Sequence, residues 1–179
     1  IPEVLPQIEA LIERGASVIP ILSYSVAHTD TRFGRAQDIR QKLAEMTGAE
    51  VIDTISKAEP IGPKRLLDCL VIAPCTGNTL SKLALGITDT PVLMAAKAQL
   101  RNGRPLVIGI ATNDGLSGSA RNIATLLARK NVYFVPYGQD DPKNKPTSLV
   151  ARMCDTERTV EEALAGKQVQ PLLVEKWKD

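Results

Sequence analysis

The sequence predicts an α/β fold, a parallel sheet wrapped by helices in three layers, and three observations carry that reading. Short apolar runs of strand length alternate along the chain with stretches whose apolar residues recur at helical spacing. The connections between them are short, as right-handed crossovers between parallel strands require. The apolar share of 44% over 179 residues is enough for a buried core.

Val4, Ile8, Leu11 and Ile12 lie on one helical face and Gly15 follows as a stop, so residues 3–14 are expected to be helical. Residues 17–22, S-V-I-P-I-L, form an apolar run suited to a strand covered on both faces, with Pro20 favouring an edge position. A polar stretch, 23–34, leads to a helix over 35–47 closed by Gly48, then to a short apolar piece, Val51-Ile52. After a loop bearing Pro and Gly, residues 67–73 (L-D-C-L-V-I-A) read as a strand halted by Pro74. Helices are expected over 78–86 and 91–100, with Pro91 tolerated in a first turn. A strand over 105–110, a Gly- and Ser-rich loop, a helix near 118–129 and a strand over 132–136 follow. A loop rich in Asp, Pro and Lys (137–147) and a helix over 156–165 complete the pattern, which is Rossmann-like and shows neither repeats nor a linker. Residues 1–179 are therefore expected to form one domain. A doubly wound sheet normally opens with a strand feeding its first helix, and that first strand is expected to lie outside this chain.

Composition narrows the function. The net charge of +2, with both signs interspersed and aromatics at 3%, offers neither a phosphate-neutralising face nor a stacking platform, so nucleic acid is not an expected partner. No apolar run reaches the roughly 18 residues that cross a bilayer, and no membrane partner is expected. Cys69, Cys75 and Cys154 sit at no metal-ligand spacing, which suits free thiols in a reducing cytoplasm and gives no expected metal site. His28 is the one histidine, so neither a histidine triad nor a histidine-ligated zinc site can be assembled.

In open parallel sheets ligands sit beyond the carboxyl ends of the strands, where loops expose amides at helix starts. Three loops qualify. In A-P-C-T-G-N-T (73–79), Thr76, Asn78 and Thr79 offer short polar side chains at a helix start, suited to a phosphate, a ring carbonyl or a carboxylate, or equally to capping the helix. In A-T-N-D-G-L-S-G-S (111–119), Gly115 and Gly118 free the backbone to expose amides, or simply make a turn. In 23–34, Ser23 leaves a strand and Arg32 precedes a helix, where its guanidinium suits a carboxylate or phosphate as well as a surface ion pair. Cys75 lies in the first loop without a basic partner that would activate it. Lys82 and Lys97 could attract anions, although helix lysines are mostly solvated.

At residues 72–94, I-A-P-C-T-G-N-T-L-S-K-L-A-L-G-I-T-D-T-P-V-L-M, the chain resembles the flavoprotein family of FMN-binding cysteine decarboxylases and flavin prenyltransferases. The family signature is a Pro-Ala-Ser/Thr-x-Asn-Thr loop, then Ala-Lys, a G-I-x-D turn and an apolar helix. Pro74, Thr76, Asn78, Thr79, Lys82, Gly86, Ile87 and Asp89 follow that order, with Ser81 where alanine is usual. The resemblance implies a flavoprotein-like domain in which Ser23, Pro74, Thr76, Asn78 and Thr79 border FMN, and in which the chain forms a homo-oligomer.

Further segments resemble one branch of that family: T-R-F-G at 31–34, K-A-E-P-I-G-P-K at 57–64, L-D-C-L-V-I-A-P at 67–74, T-D-T-P-V-L-M-A-A-K-A at 88–98, T-N-D at 112–114, P-Y-G-Q-D-D-P at 136–142 and Q-P-L-L-V-E at 170–175. They imply one subunit of an oxidoreductase that converts a dihydrodipicolinate-type precursor to pyridine-2,6-dicarboxylate in the mother cell of a sporulating bacterium. NADP would sit on a dehydrogenase-like partner, the A subunit. Arg32, Thr112 and Asn113 are the side chains expected to face a small dicarboxylate. Two alternatives stand beside this: a flavin-less subunit that stabilises or activates the partner, and an FMN-dependent decarboxylase. Residues 1–14 contain no counterpart of the decarboxylases' histidine, and their Pro-x-Met-Asn loop is matched only by Ala111-Thr112-Asn113.

Overall fold

The computed structural model describes residues 2–31 and 34–175. Its centre is β2 (Leu106–Thr112), flanked in parallel by β1 (Leu70–Cys75) on one side and β3 (Val132–Phe134) on the other. Leu106, Val107, Ile108 and Ile110 of β2 are fully buried, as a strand covered on both faces must be. Burying each such side chain contributes about 1.5–3 kcal/mol. Gly109 interrupts the row because the Met153 sulfur lies 3.1 Å from where a Cβ would stand.

The helices fall close to expectation: α1 is Leu5–Glu13, α3 Ala36–Thr47, α5 Gly77–Ala84, α6 Pro91–Arg101, α7 Ala120–Leu127 and α8 Thr156–Leu164. Gly48, with φ +64°, ends α3 where a side chain would be strained. Two short helices lie in stretches that read as loops. Ser23 caps α2 (Tyr24–His28), accepting from the Val26 amide at 3.4 Å, and Thr54 caps α4 (Ile55–Ala58), accepting from Lys57 at 3.2 Å. A 3-10 turn, Glu59–Ile61, continues α4, and another, Met153–Asp155, precedes α8. None of the helices among the described residues is long and apolar enough to cross a membrane.

Three strand expectations need correction. Residues 17–22 make only one parallel bridge, Ile21 to Ile52, with Ile52 donating to the Pro20 carbonyl (2.9 Å) and Leu22 to that of Ile52 (2.8 Å). Pro20 has no N–H to extend the ladder, and its partner segment bends at Thr54 into the start of α4. The strand expected over 67–73 starts only at Leu70, because Arg104 donates to the Leu67 carbonyl (2.5 Å) and holds it outside the sheet. It then runs through Pro74, whose preceding peptide is cis, to Cys75; among the described residues β1 pairs with β2 alone, so a missing N–H is tolerated there. The strand expected over 132–136 stops at Phe134, and the stretch read as a loop after it opens into an antiparallel arm: β4 (Tyr137–Gly138) pairs with β5 (Leu149–Ala151), which pairs with the end of β2 at Ala111 and Thr112.

The segment from α2 to α4 is tied by charge as well as by a small apolar cluster of Leu22, Leu43 and Val51. Arg40 on α3 donates to Asp53, and Lys57 on α4 bridges Asp53 (3.5 Å) and Glu50 (2.7 Å). The Arg40 hydrogen bond holds the Asp53 carboxyl below its usual range. Gln168 closes the outer edge of β3: its side-chain amide donates to the Phe134 carbonyl (2.7 Å) and accepts from the Phe134 amide (2.8 Å).

Candidate functional site

The carboxyl ends of β1 and β2 carry the first two loops singled out above, and the structure brings them together. Their meeting point is Gly77, the first residue of α5. A Cβ there would stand 2.7 Å from Thr112 Oγ1, 3.1 Å from Asp114 Oδ1 and 3.2 Å from Ser119 Oγ. No side chain fits, and the amino end of α5 is laid directly against the second loop.

In the first loop, Thr76 occupies the N-cap position of α5 with the extended backbone of a cap (φ −75°, ψ 160°), yet its side chain accepts no helix amide. Its hydroxyl points instead towards Thr79 Oγ1, at 3.5 Å. The helix ladder begins with Leu80 donating to the Thr76 carbonyl (2.9 Å), so the amides of Gly77, Asn78 and Thr79 lie ahead of the first intrahelical bond. Thr76 and Asn78 are exposed and Thr79 half-buried. This end of α5 is a donor-rich, partially positive surface. Pro74 lies half-buried in β1 behind it.

The second loop is organised around Asp114, a residue that the sequence reading did not single out. Its Oδ1 accepts from Thr112 Oγ1 (2.5 Å) and Ser119 Oγ (2.9 Å), and these two donors hold its carboxyl below the usual range. The Asp114 carbonyl accepts from the amides of Ser117 and Ser119. Thr112, at the end of β2, therefore commits its hydroxyl proton to Asp114 rather than to a ligand. Asn113 stays exposed with its carbonyl taken by Thr147 Oγ1 (2.6 Å), while Leu116 donates to the Thr147 carbonyl (2.9 Å). Gly115 allows the loop to lie on Leu149 of β5, whose side chain would be 2.7 Å from a Cβ. The antiparallel arm thus straps the second loop in place. The signal for Asp114 is present in T-N-D-G-L-S-G-S: a short carboxylate between two hydroxyl residues at turn spacing.

The other candidates are engaged differently. Ser23 serves as the cap of α2, which packs on α3. Arg32, and with it Phe33 of the T-R-F-G segment, lies outside the described residues. Cys75 is fully buried, and burial pushes its thiol up to about 12, which leaves no thiolate for nucleophilic chemistry. Lys82 pairs with Asp89 at 2.6 Å, and His28 stacks on Tyr24.

The arrangement has a chemical preference. Donors at the start of α5 suit a carbonyl oxygen of a bound ring. A second full negative charge about 4 Å from Asp114 meets a repulsion between about 1 kcal/mol in water and about 4 kcal/mol near a protein surface. The junction of the two loops at Gly77 is accordingly better matched to a carbonyl group than to a second anion.

The Flavoprotein family model matches residues 1–160. The B subunit of dipicolinate synthase from Bacillus subtilis (strain 168) is 53% identical over 174 residues, 97% of this chain and 87% of that protein. The crystal structure of the dipicolinate synthase B subunit from Bacillus halodurans C is similar at a TM-score of 0.90 and 54% identity, over 97% of this chain and 89% of that one. A flavin prenyltransferase of Archaeoglobus fulgidus is 31% identical over 134 residues, 72% of this chain and 70% of that protein.

Proposed function

The chain belongs to the Flavoprotein family, and from that premise we propose that it acts as the B subunit of a dipicolinate synthase. With a dehydrogenase-like A subunit it would take part in oxidising a dihydrodipicolinate-type precursor to pyridine-2,6-dicarboxylate during sporulation, in the cytoplasm of the mother cell. The observation that carries this reading is the junction of the two strand-end loops at Gly77, in a chain whose likeness to the dipicolinate synthase B subunit runs over nearly its whole length.

Aromatising the ring removes a hydride equivalent and a proton. No side chain at this junction accepts two electrons, so a redox group is required, and FMN held here or NADP on the A subunit supplies that capacity. This chain's residues do the holding. The amides at the start of α5, with Asn78 and Thr79, donate to a carbonyl edge of the ring, Gly77 gives the close approach, and Pro74 and Thr76 wall the loop. Asn113 and Arg32 supply donors for the two substrate carboxylates, and Thr112 contributes by fixing Asp114. Ser23 belongs to the cofactor side of this proposal, and a homo-oligomer of the chain is part of it.

A second reading, a subunit that activates its partner without performing the redox step, is favoured by one feature. Neither loop carries a histidine, a lysine or an activated thiol, so neither offers a proton-transfer group poised near neutrality. Dipicolinate formation, followed by ultraviolet absorbance, separates the readings when full-length protein is assayed with and without the A subunit and with FMN or NADP as sole acceptor. Product that needs both subunits and FMN is the expected result for a redox site in this chain. Product with NADP alone assigns the activating role, and no product under any combination overturns the dipicolinate reading.

A further inference from the structure

We propose that the amino ends of the three parallel strands dock head to tail on the α1–α8 face of a second copy of this chain, an inference that rests on the homo-oligomer of the reading above. The stretches leading into β1, β2 and β3 are residues 62–69, 101–105 and 128–131. They form one surface. Asn102 Nδ2 donates to the Gly62 carbonyl (2.9 Å), Arg104 donates to that of Leu67, and the Leu106 amide donates to that of Asn131 (2.8 Å). Because the strands are parallel, this surface lies at the end of the sheet opposite the loops at Gly77. It holds six cations, Lys64, Arg65, Arg101, Arg104, Arg129 and Lys130, and a single acid, Asp68, in a chain of 22 cations and 20 acids. Arg104 pairs with Asp68 (3.3 Å); the other five are exposed and make no ion pair among the described residues.

The complement is on the same molecule. α1 and α8 lie side by side, joined by Arg14 to Glu157 (2.8 Å) and to Glu161 (3.9 Å). Residues 3–14 and 156–164 carry six acids against two cations, Arg14 and Arg158. With Arg14 committed to α8, Glu3, Glu9 and Glu13 stand exposed and unpaired among the described residues. Charges that are interspersed along the sequence are thus sorted in space. Five like charges at one end repel one another, and an opposed acidic face relieves that repulsion. Exposed leucines accompany both surfaces: Leu66 and Leu127 at the basic end, and Leu164 at the end of α8. They give the contact an apolar part within a charged rim. Two different surfaces make the contact heterologous, so successive copies build a ring or an open chain. The three basic stretches contain no aromatic side chain on which a base could stack, which favours a protein surface over a nucleic acid.

The test is sedimentation velocity on the full-length protein at about 0.05 M and about 0.5 M salt, a range over which exposed charges become screened. Wild type should assemble at low salt and associate about tenfold more weakly at high salt. Arg129→Glu with Lys130→Glu should be monomeric at low salt, as should Glu9→Lys with Glu13→Lys. The four changes together exchange the two charges and should restore assembly. Assembly that ignores both reversals overturns the proposal and leaves the homo-oligomer intact, as does a combined variant that stays monomeric. Assembly of wild type that is indifferent to salt overturns it too, and needs no variant to fold. Duplex DNA binding that is lost on reversing the basic end, with assembly unchanged, assigns that end to nucleic acid instead and overturns the contact. A wild type that is monomeric at both salts removes the homo-oligomer itself, and the contact with it.

Discussion

The two loops at Gly77 follow neighbouring parallel strands and use their polar groups in opposite ways. In the first, Thr76 stands at a cap position and caps nothing, although Ser23, Thr54 and Thr90 each accept an amide at the start of their own helices. In the second, Thr112, Ser119 and the carbonyls of Asn113 and Asp114 are all taken by partners within the protein. An uncapped helix start leaves orphan donors for a ligand, at a cost in stability, whereas a saturated loop is a frame whose hydrogen bonds close on itself. The pair teaches that a binding loop and a supporting loop can share sequence character, small and hydroxyl-rich, and differ only in whether the hydrogen bonds close internally.

The largest effect that tests this contrast is at the junction itself. Gly77→Val puts a branched side chain where even a Cβ meets Thr112 Oγ1 at 2.7 Å, so the loops must separate. We expect a loss of about 1–3 kcal/mol in urea unfolding and at least a hundredfold loss of FMN affinity. Unchanged flavin affinity would break the claim that the two loops form one site.

A smaller effect is expected inside the frame. Thr112→Val removes one of the two donors to Asp114 and should cost about 1 kcal/mol. The sign with pH follows from the lowered Asp114 carboxyl. Its contribution is complete above the unfolded value of about 3.9 and is lost as pH falls through the lower folded value. Acid unfolding of Thr112→Val should therefore begin at higher pH than in wild type, with no difference at neutral pH beyond the constant offset; coincident acid limbs would deny Thr112 this role.

The smallest effect sharpens the comparison most. Thr90 accepts the Leu93 amide at 3.2 Å, so Thr90→Ala should cost about 1 kcal/mol, while Thr76→Ala should stay within about 0.5 kcal/mol and weaken flavin binding. Equal destabilisation by the two alanines would mean that Thr76 caps after all.

The helices and the central strand were legible in the sequence because their signals are long: helices read over 35–47 and 91–100, and an apolar run, interrupted at Gly109, read as a strand over 105–110. The antiparallel arm was not. Its strands, Tyr137–Gly138 and Leu149–Ala151, are too short for any period, and their pairing is fixed by the tail of β2, which is distant in sequence. The same holds for α2 and α4, where a cap and one turn are the whole signal. Thr76, Asn78 and Thr79 could be located at a helix start because strand, proline and helix adjoin in the chain. Asp114 was missed because its importance lies in a contact between loops, at Gly77, which is far from it in sequence. Thr112 read as part of the loop after a strand ending at 110, whereas the strand runs on to Thr112 and its hydroxyl donates to Asp114 two residues on.

Gln168 has a consequence for how molecules of this protein meet. By donating to and accepting from Phe134, one side chain imitates the peptide group of an adjoining strand and finishes that margin of the sheet. The next stretch is closed by main chain, with Tyr137 exchanging bonds with Leu172 and Val174. A sheet whose margin is sealed in this way gives another chain no template to extend, so crowding in the cell does not convert native molecules into cross-strand polymers along this side.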